Sequence, residues 1–223
     1  MSGRRNIRTL TDRNLRTCAV TRVAEPATGD AMLVPMLDPG LLAPEKVRPL
    51  RRTEYECLVE LGLFDEERVE LLRGQLVTMS PQGAAHATVT ARLGRRFSRA
   101  LDETYDVRQH SPFAATDDSE PEPDISISRA RKRGFYHPSK ALLLIEVAES
   151  SVRKDREIKA AIYAENGAPE YWVGDLKSKT VWVFTDPRGG EYQRVQQLGR
   201  KDALRPSKLP DIQIRIGDLF SRR

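Results

Sequence analysis

The sequence has little cysteine, little histidine, few aromatic side chains and no long apolar run. Only two cysteines occur, Cys18 and Cys57. They exclude a disulfide framework and a thiolate metal knuckle, and a reducing cytoplasm is the expected compartment. The longest apolar run, Ala141 to Ile145, is far too short to cross a membrane. The stretch from Ala31 to Ala43 is interrupted by Pro35, Asp38 and Pro39. The N-terminus has no apolar core leading to a small-residue cleavage site, so no secretory signal is expected. The excess of one charge sign over the other is also small. The net charge is +5, and residues 1–31 supply +3 of it, with six arginines against three acids. The remaining +2 is spread over the rest, which neither requires nor excludes a nucleic-acid partner, because a local basic surface is what counts.

What is present suits a soluble globular chain of 223 residues: 39% hydrophobic and 31% charged, enough for one sizeable core with a tail. Residues 1–48 show no helical or strand period and are expected to form a mobile tail. Met32 is a second reasonable start, which would make part of that tail a gene-model artefact. A single domain is expected over 49–223. It opens with a helix in "TEYECLVELGLF", capped by Thr53. Two short strands follow in "RVELLRGQLVTMSP", turning at Arg73-Gly74 and ending before Pro81. The longest helical pattern, "AAHATVTARLGRRFSRALDET", carries an apolar stripe of Val89, Leu93, Phe97, Ala100 and Leu101, with Arg92, Arg95, Arg96 and Arg99 mainly off it. "YDVRQHSPFAA", "DISIS" and Leu142–Val147 read as strands. A helix over about Asp155–Glu165 stops at Gly167, and "PEYWVGDL", "KTVWVFTD" and "EYQRVQQL" read as three further strands, with turns over Asp175–Thr180 and Pro187–Gly190. The fold class expected is α/β (α+β), a central mixed sheet flanked by helices.

Two carboxylates draw attention. Asp124 precedes a strand in which Ser126 and Ser128 share its face and Ile125 and Ile127 share the other. Glu146 lies in a strand that is apolar on both faces and therefore central. If the two strands pair, Asp124 and Glu146 converge at one end of the sheet. With water they make an oxygen site of the kind Mg²⁺ prefers. The next helix carries Asp155, Lys159 and Tyr163 at i, i+4 and i+8, and its first turns return beside Glu146. Lys159 then either reaches Glu146 or forms a surface pair with Asp155, worth about 0.3–0.5 kcal/mol. Spacing alone does not choose. Tyr163, Tyr171 and Trp172 are expected in the core. Glu70 could pair with Arg68 or Arg73, and His86 lies in the first turn of the long helix. His110 and His137 carry no argument.

The stretches "VELLRGQLVTMSP", His86, "PEPDISI" and "LLLIEVAESSVRKDREIKAAIYAENGAPEYWVGD" resemble, in order and spacing, the Uma-two family of restriction-endonuclease-like proteins within the PD-(D/E)xK nuclease superfamily. The resemblance covers about residues 50–220. It implies a restriction-endonuclease-like fold, with Asp124 and Glu146 as ligands of Mg²⁺ (Mn²⁺ as an alternative) and Lys159 as the catalytic lysine. Glu70 matches an additional acid and His86 a further site residue. Two departures stand out: Glu149 replaces a proline in the loop after the Glu146 strand, and Arg73-Gly74 replaces an Asp-Gly turn. The implied activity is hydrolysis of DNA phosphodiesters. The arginines of the long helix and the loop Arg129–Arg133 would grip phosphates, and a homodimer is compatible with the reading. Two alternatives remain: a catalytically silent module that binds DNA or protein, and a hydrolase of small phosphate esters.

Overall fold

The computed structural model describes residues 42, 44–131, 134–209 and 211–221. The chain divides into two units, Met1–Lys46 and Val47–Arg223. Nearly all of the expected tail lies outside the described residues, as do Lys132 and Arg133 of the basic loop. No described helix is long and apolar enough to cross a membrane.

The second unit begins with α1 (Arg52–Glu60) and the hairpin β1 (Val69–Leu72)–β2 (Gln75–Thr78). Thr53 is not the cap of α1. The cap position is Arg51, whose backbone N–H donates to Glu54 Oε2 at 2.9 Å, so the acid three residues on satisfies the helix start. The hairpin turns where expected. Arg73 and Gly74 have φ of 52° and 74°, the pair of left-handed residues that a tight two-residue turn requires.

The long helix is α2 (Ala84–Ala100), followed by β3 (Tyr105–Gln109), β4 (Ile125–Arg129) and β5 (Leu143–Ala148). A helical segment then leads to β6 (Glu170–Asp175), β7 (Thr180–Arg188) and β8 (Glu191–Leu198). Pro187 lies inside β7 rather than in the turn, paired with Tyr192. The six strands form one sheet in the order β3-β4-β5-β6-β7-β8. All neighbours are antiparallel except β5 and β6, which are parallel and joined by the helical segment. β5 is buried along its whole length, which is why its sequence reads as a continuous apolar run rather than an alternation.

Period-two alternation in β5 divides the core. Leu143, Ile145 and Val147 pack with Val89, Leu93 and Phe97 of α2 and with Ile214, Ile216 and Leu219. Leu144 and Ala148 pack on the other face with Ala160, Ile162 and Tyr163. Glu146 belongs to this second face, beneath the helical segment. Of the stripe expected on α2, Ala100 is exposed and Leu101 lies just past the helix end.

The helical segment starts earlier than Asp155 and is not uniform. It comprises α3 (Val152–Lys154), a wide π-helical turn (Asp155–Lys159) and α4 (Ala160–Asn166). The Ala160 N–H donates to Asp155 O, five residues back. Gly167, at φ 80°, ends it in the left-handed conformation, as its position suggests.

Candidate active site

β4 and β5 pair with Ile125 opposite Ile145. Extending that register by one residue sets Asp124 across from Glu146, on the face that packs against the helical segment. Asp124 Oδ2 accepts the Val147 backbone N–H at 2.7 Å. It also lies 3.0 Å from His86 Nε2, while its Oδ1 lies 3.2 Å from His110 Nδ1. Burial opposes ionisation of Asp124, but the hydrogen bonds from His110 and His86 outweigh it and hold the pKa down at about 2.

Glu146 is held from the other side. Its Oε1 accepts from Lys159 Nζ at 2.8 Å and from the Tyr163 hydroxyl at 3.1 Å. Lys159 Nζ also lies 2.8 Å from Glu70 Oε2, and Lys154 Nζ lies 2.8 Å from Glu70 Oε1. Lys154, Glu70, Lys159 and Glu146 thus form a chain of alternating charge. Lys159 is not the surface partner of Asp155: both residues are buried, and Asp155 accepts instead from Ser151 Oγ at 2.7 Å. Nor does Glu70 pair with Arg68 or Arg73, which hold Glu122 and Glu165 respectively. The five residues singled out in the sequence, Asp124, Glu146, Lys159, Glu70 and His86, therefore lie in one connected cluster.

Asp124, Glu146, Asp155 and Lys159 floor a cleft of about 160 Å³, with His86, Glu122, Glu149, Ser150, Ser151 and Lys154 among its walls. Burial pushes the Glu146 carboxyl well above the usual range. Lys159 offsets part of this, while Asp155, Asp124 and Glu70 add to it. Glu70 is pulled below its ordinary value because Lys159 and Lys154 outweigh its burial. Lys159 is raised: burial disfavours the ammonium, but the carboxylates of Glu146, Glu70 and Asp155 favour it more.

This donor set fits a hard divalent cation. Asp124, Glu146, Glu70 and Asp155 bring four buried carboxylates against the two ammonium groups of Lys154 and Lys159. The imbalance is what an added cation would relieve. Glu146 Oε2 has no hydrogen-bond partner among the described residues, while its Oε1 is fixed. No three His, Cys, Asp or Glu side chains converge tightly enough among the described residues to enclose an ion. Two carboxylates with several waters are the arrangement Mg²⁺ accepts.

The chain belongs to the Uma2 family. That family, described as "Putative restriction endonuclease", matches residues 52–217. A solved structure similar to this one is a "putative nuclease belonging to DUF820" from Anabaena variabilis. It is 16% identical, with a TM-score of 0.58 over 70% of this chain and 90% of that one, a likeness of fold. No curated protein matches the chain. In this Uma2 chain the fold is a six-stranded mixed sheet flanked by helices, with the carboxylate cluster at the end where β4 begins and β5 ends.

Three residues at this site escape a reading of the sequence. His110 contacts Asp124, and the register could have found it: Gln109 faces Ile125 across β3 and β4, so His110 falls beside Asp124. Tyr163 is buried as expected, but its hydroxyl holds Glu146. Lys154 has no sequence signal, because its partner Glu70 is 84 residues away. Of the basic loop, Arg129 stacks over Tyr105 and Arg131 over Tyr136.

Proposed function

We propose that this Uma2 protein is a metal-dependent endonuclease hydrolysing phosphodiester bonds in DNA, with Asp124 and Glu146 as the ligands of Mg²⁺ or Mn²⁺. The observation that carries the reading is the convergence of these two carboxylates, from paired strands, on a cleft backed by a buried lysine. When bound, the ion polarises a phosphate oxygen and lowers the pKa of a water molecule. The protein's own groups prepare that event. His86, His110 and the Val147 N–H fix the orientation of Asp124. Lys159 and Tyr163 fix one oxygen of Glu146 and leave the other towards the cleft. Lys159 remains an ammonium, and its field favours the negative charge that grows on the phosphate. Glu70 keeps that lysine in place.

DNA is the substrate that the arginines of α2 suit. Arg95, Arg96 and Arg99 line a groove of about 600 Å³ on the flank of the helix whose first turn carries His86. Arg96 is partly occupied by Asp218 at 3.6 Å, and Arg92 is committed to backbone carbonyls. Phosphate contacts from this flank would make binding depend on salt.

The test is incubation of supercoiled, linear and branched DNA with Mg²⁺, Mn²⁺ or EDTA. Cleavage is expected with either ion, none with EDTA, and none for Asp124→Asn. Salt-sensitive DNA binding without cleavage by the wild type would overturn the enzymatic reading and leave a binding module. Cleavage of small phosphate esters but not of DNA would replace the substrate.

A further inference from the structure

Two lysines share one carboxylate at this site, and they differ in what else they can reach. The Lys159 side chain is 3% exposed, and two of its three N–H groups are spent on Glu70 and Glu146. The Lys154 side chain is 29% exposed and holds only Glu70 Oε1. Lys154 closes α3, immediately before the π-helical turn, and lines the cleft beside Ser150 and Ser151. Its remaining N–H groups have no partner among the described residues. Of the other charged groups on the cleft wall near the solvent, Glu149 is an acid that repels a phosphodiester and Glu122 is paired with Arg68.

We propose that Lys154 is the cation that touches the substrate phosphate, while Lys159 holds Glu146 in place and acts on the phosphate only through its field. This proposal rests on the nuclease reading above. Glu70 divides the labour: one of its oxygens anchors each lysine, so the more exposed ammonium is held at the wall and the buried one in the floor. A lysine so placed serves as a point charge for a non-bridging phosphate oxygen, the role that suits an ammonium better than a planar guanidinium. The π-helical turn supports this arrangement. It widens the helix between the two lysines, and both nevertheless converge on Glu70.

The experiment compares Lys154→Ala, Lys154→Arg, Glu70→Gln and Arg153→Ala in the full chain. Arg153 is an exposed neighbour paired with Glu157 and serves as the charge control. Two quantities are read: kcat for DNA cleavage with Mg²⁺, and the salt dependence of DNA affinity in EDTA. Lys154→Ala is expected to lower kcat by about 10²–10³. It should also remove about one unit from the slope of log affinity against log salt. Lys154→Arg should recover part of both, and Arg153→Ala should change neither. A Lys154→Ala protein that cleaves like the wild type overturns the proposal. So does a loss of kcat matched by Glu70→Gln with an unchanged salt slope, which would confine Lys154 to holding Glu70. If the wild type cleaves no DNA with any ion, the nuclease reading fails by itself. The salt slope then decides: a lost unit for Lys154→Ala alone supports the phosphate contact, and an unchanged slope overturns it.

Discussion

Lys159 occupies a place where an ammonium is tolerated only because two carboxylates meet it. Removing one partner of a buried ion pair leaves charge without compensation and costs about 3–5 kcal/mol. Lys159→Ala is therefore expected to lose stability on that scale in chemical denaturation, because Glu70 and Glu146 both stay behind. A loss below about 1 kcal/mol would show that water reaches the cluster. A surface pair with Asp155, worth about 0.3–0.5 kcal/mol, would predict a far smaller loss. A second buried acid lies away from the cluster. Burial pushes the Glu120 carboxyl up to about 8, aided by the neighbouring Glu56 carboxyl and opposed by Arg52 at 3.8 Å. The folded protein thus keeps a proton on Glu120 that the unfolded chain releases near the ordinary value of 4.5. The stability it contributes is complete below that value and declines as pH rises through about 8. Denaturation measured between these limits should show a shallower decline for Glu120→Gln than for the wild type. Equal slopes would refute the assignment.

Elements were legible in proportion to how locally they are determined. The β1–β2 hairpin could be read because alternation and a turn dipeptide coincide, although Arg73 is an unusual choice for a left-handed position. Its side chain is engaged there by Glu165 at 2.5 Å. Gly74 is the stricter requirement: at φ 74° a side chain is strained, and an added Cβ would lie 2.3 Å from Pro49 Cβ. Gly74→Ala should cost about 1–2 kcal/mol for the left-handed conformation, with the clash adding to it. Thermal or denaturant unfolding measures this, and a neutral substitution would mean the Pro49 segment moves freely. The π-helical turn was not legible, because apolar periodicity does not distinguish a bond five residues back from one four back. Asp124 and Glu146 were readable from strand pattern, whereas Lys154 depends on a tertiary contact with the hairpin and His110 on a register that periodicity alone does not fix.

At the scale of the molecule, modest net charge conceals a segregation, with arginines along one flank of α2 and buried carboxylates gathered near its beginning. The same helix ties together distant parts of the sequence. Arg92 donates to Leu219 O at 2.7 Å and to Ser221 O at 2.6 Å, residues 127 and 129 positions away. Beneath that contact, Ile214, Ile216 and Leu219 complete the layer begun by Val89, Leu93 and Phe97. During synthesis, then, the apolar side of α2 meets β4 and β5 early, but the C-terminal residues that complete its cover emerge last. That layer stays incomplete through more than a hundred further additions. Such long sequence separation slows folding and prolongs the interval in which sticky surface meets other chains. The protein should therefore depend on chaperones while it is being made, far more than its finished structure suggests.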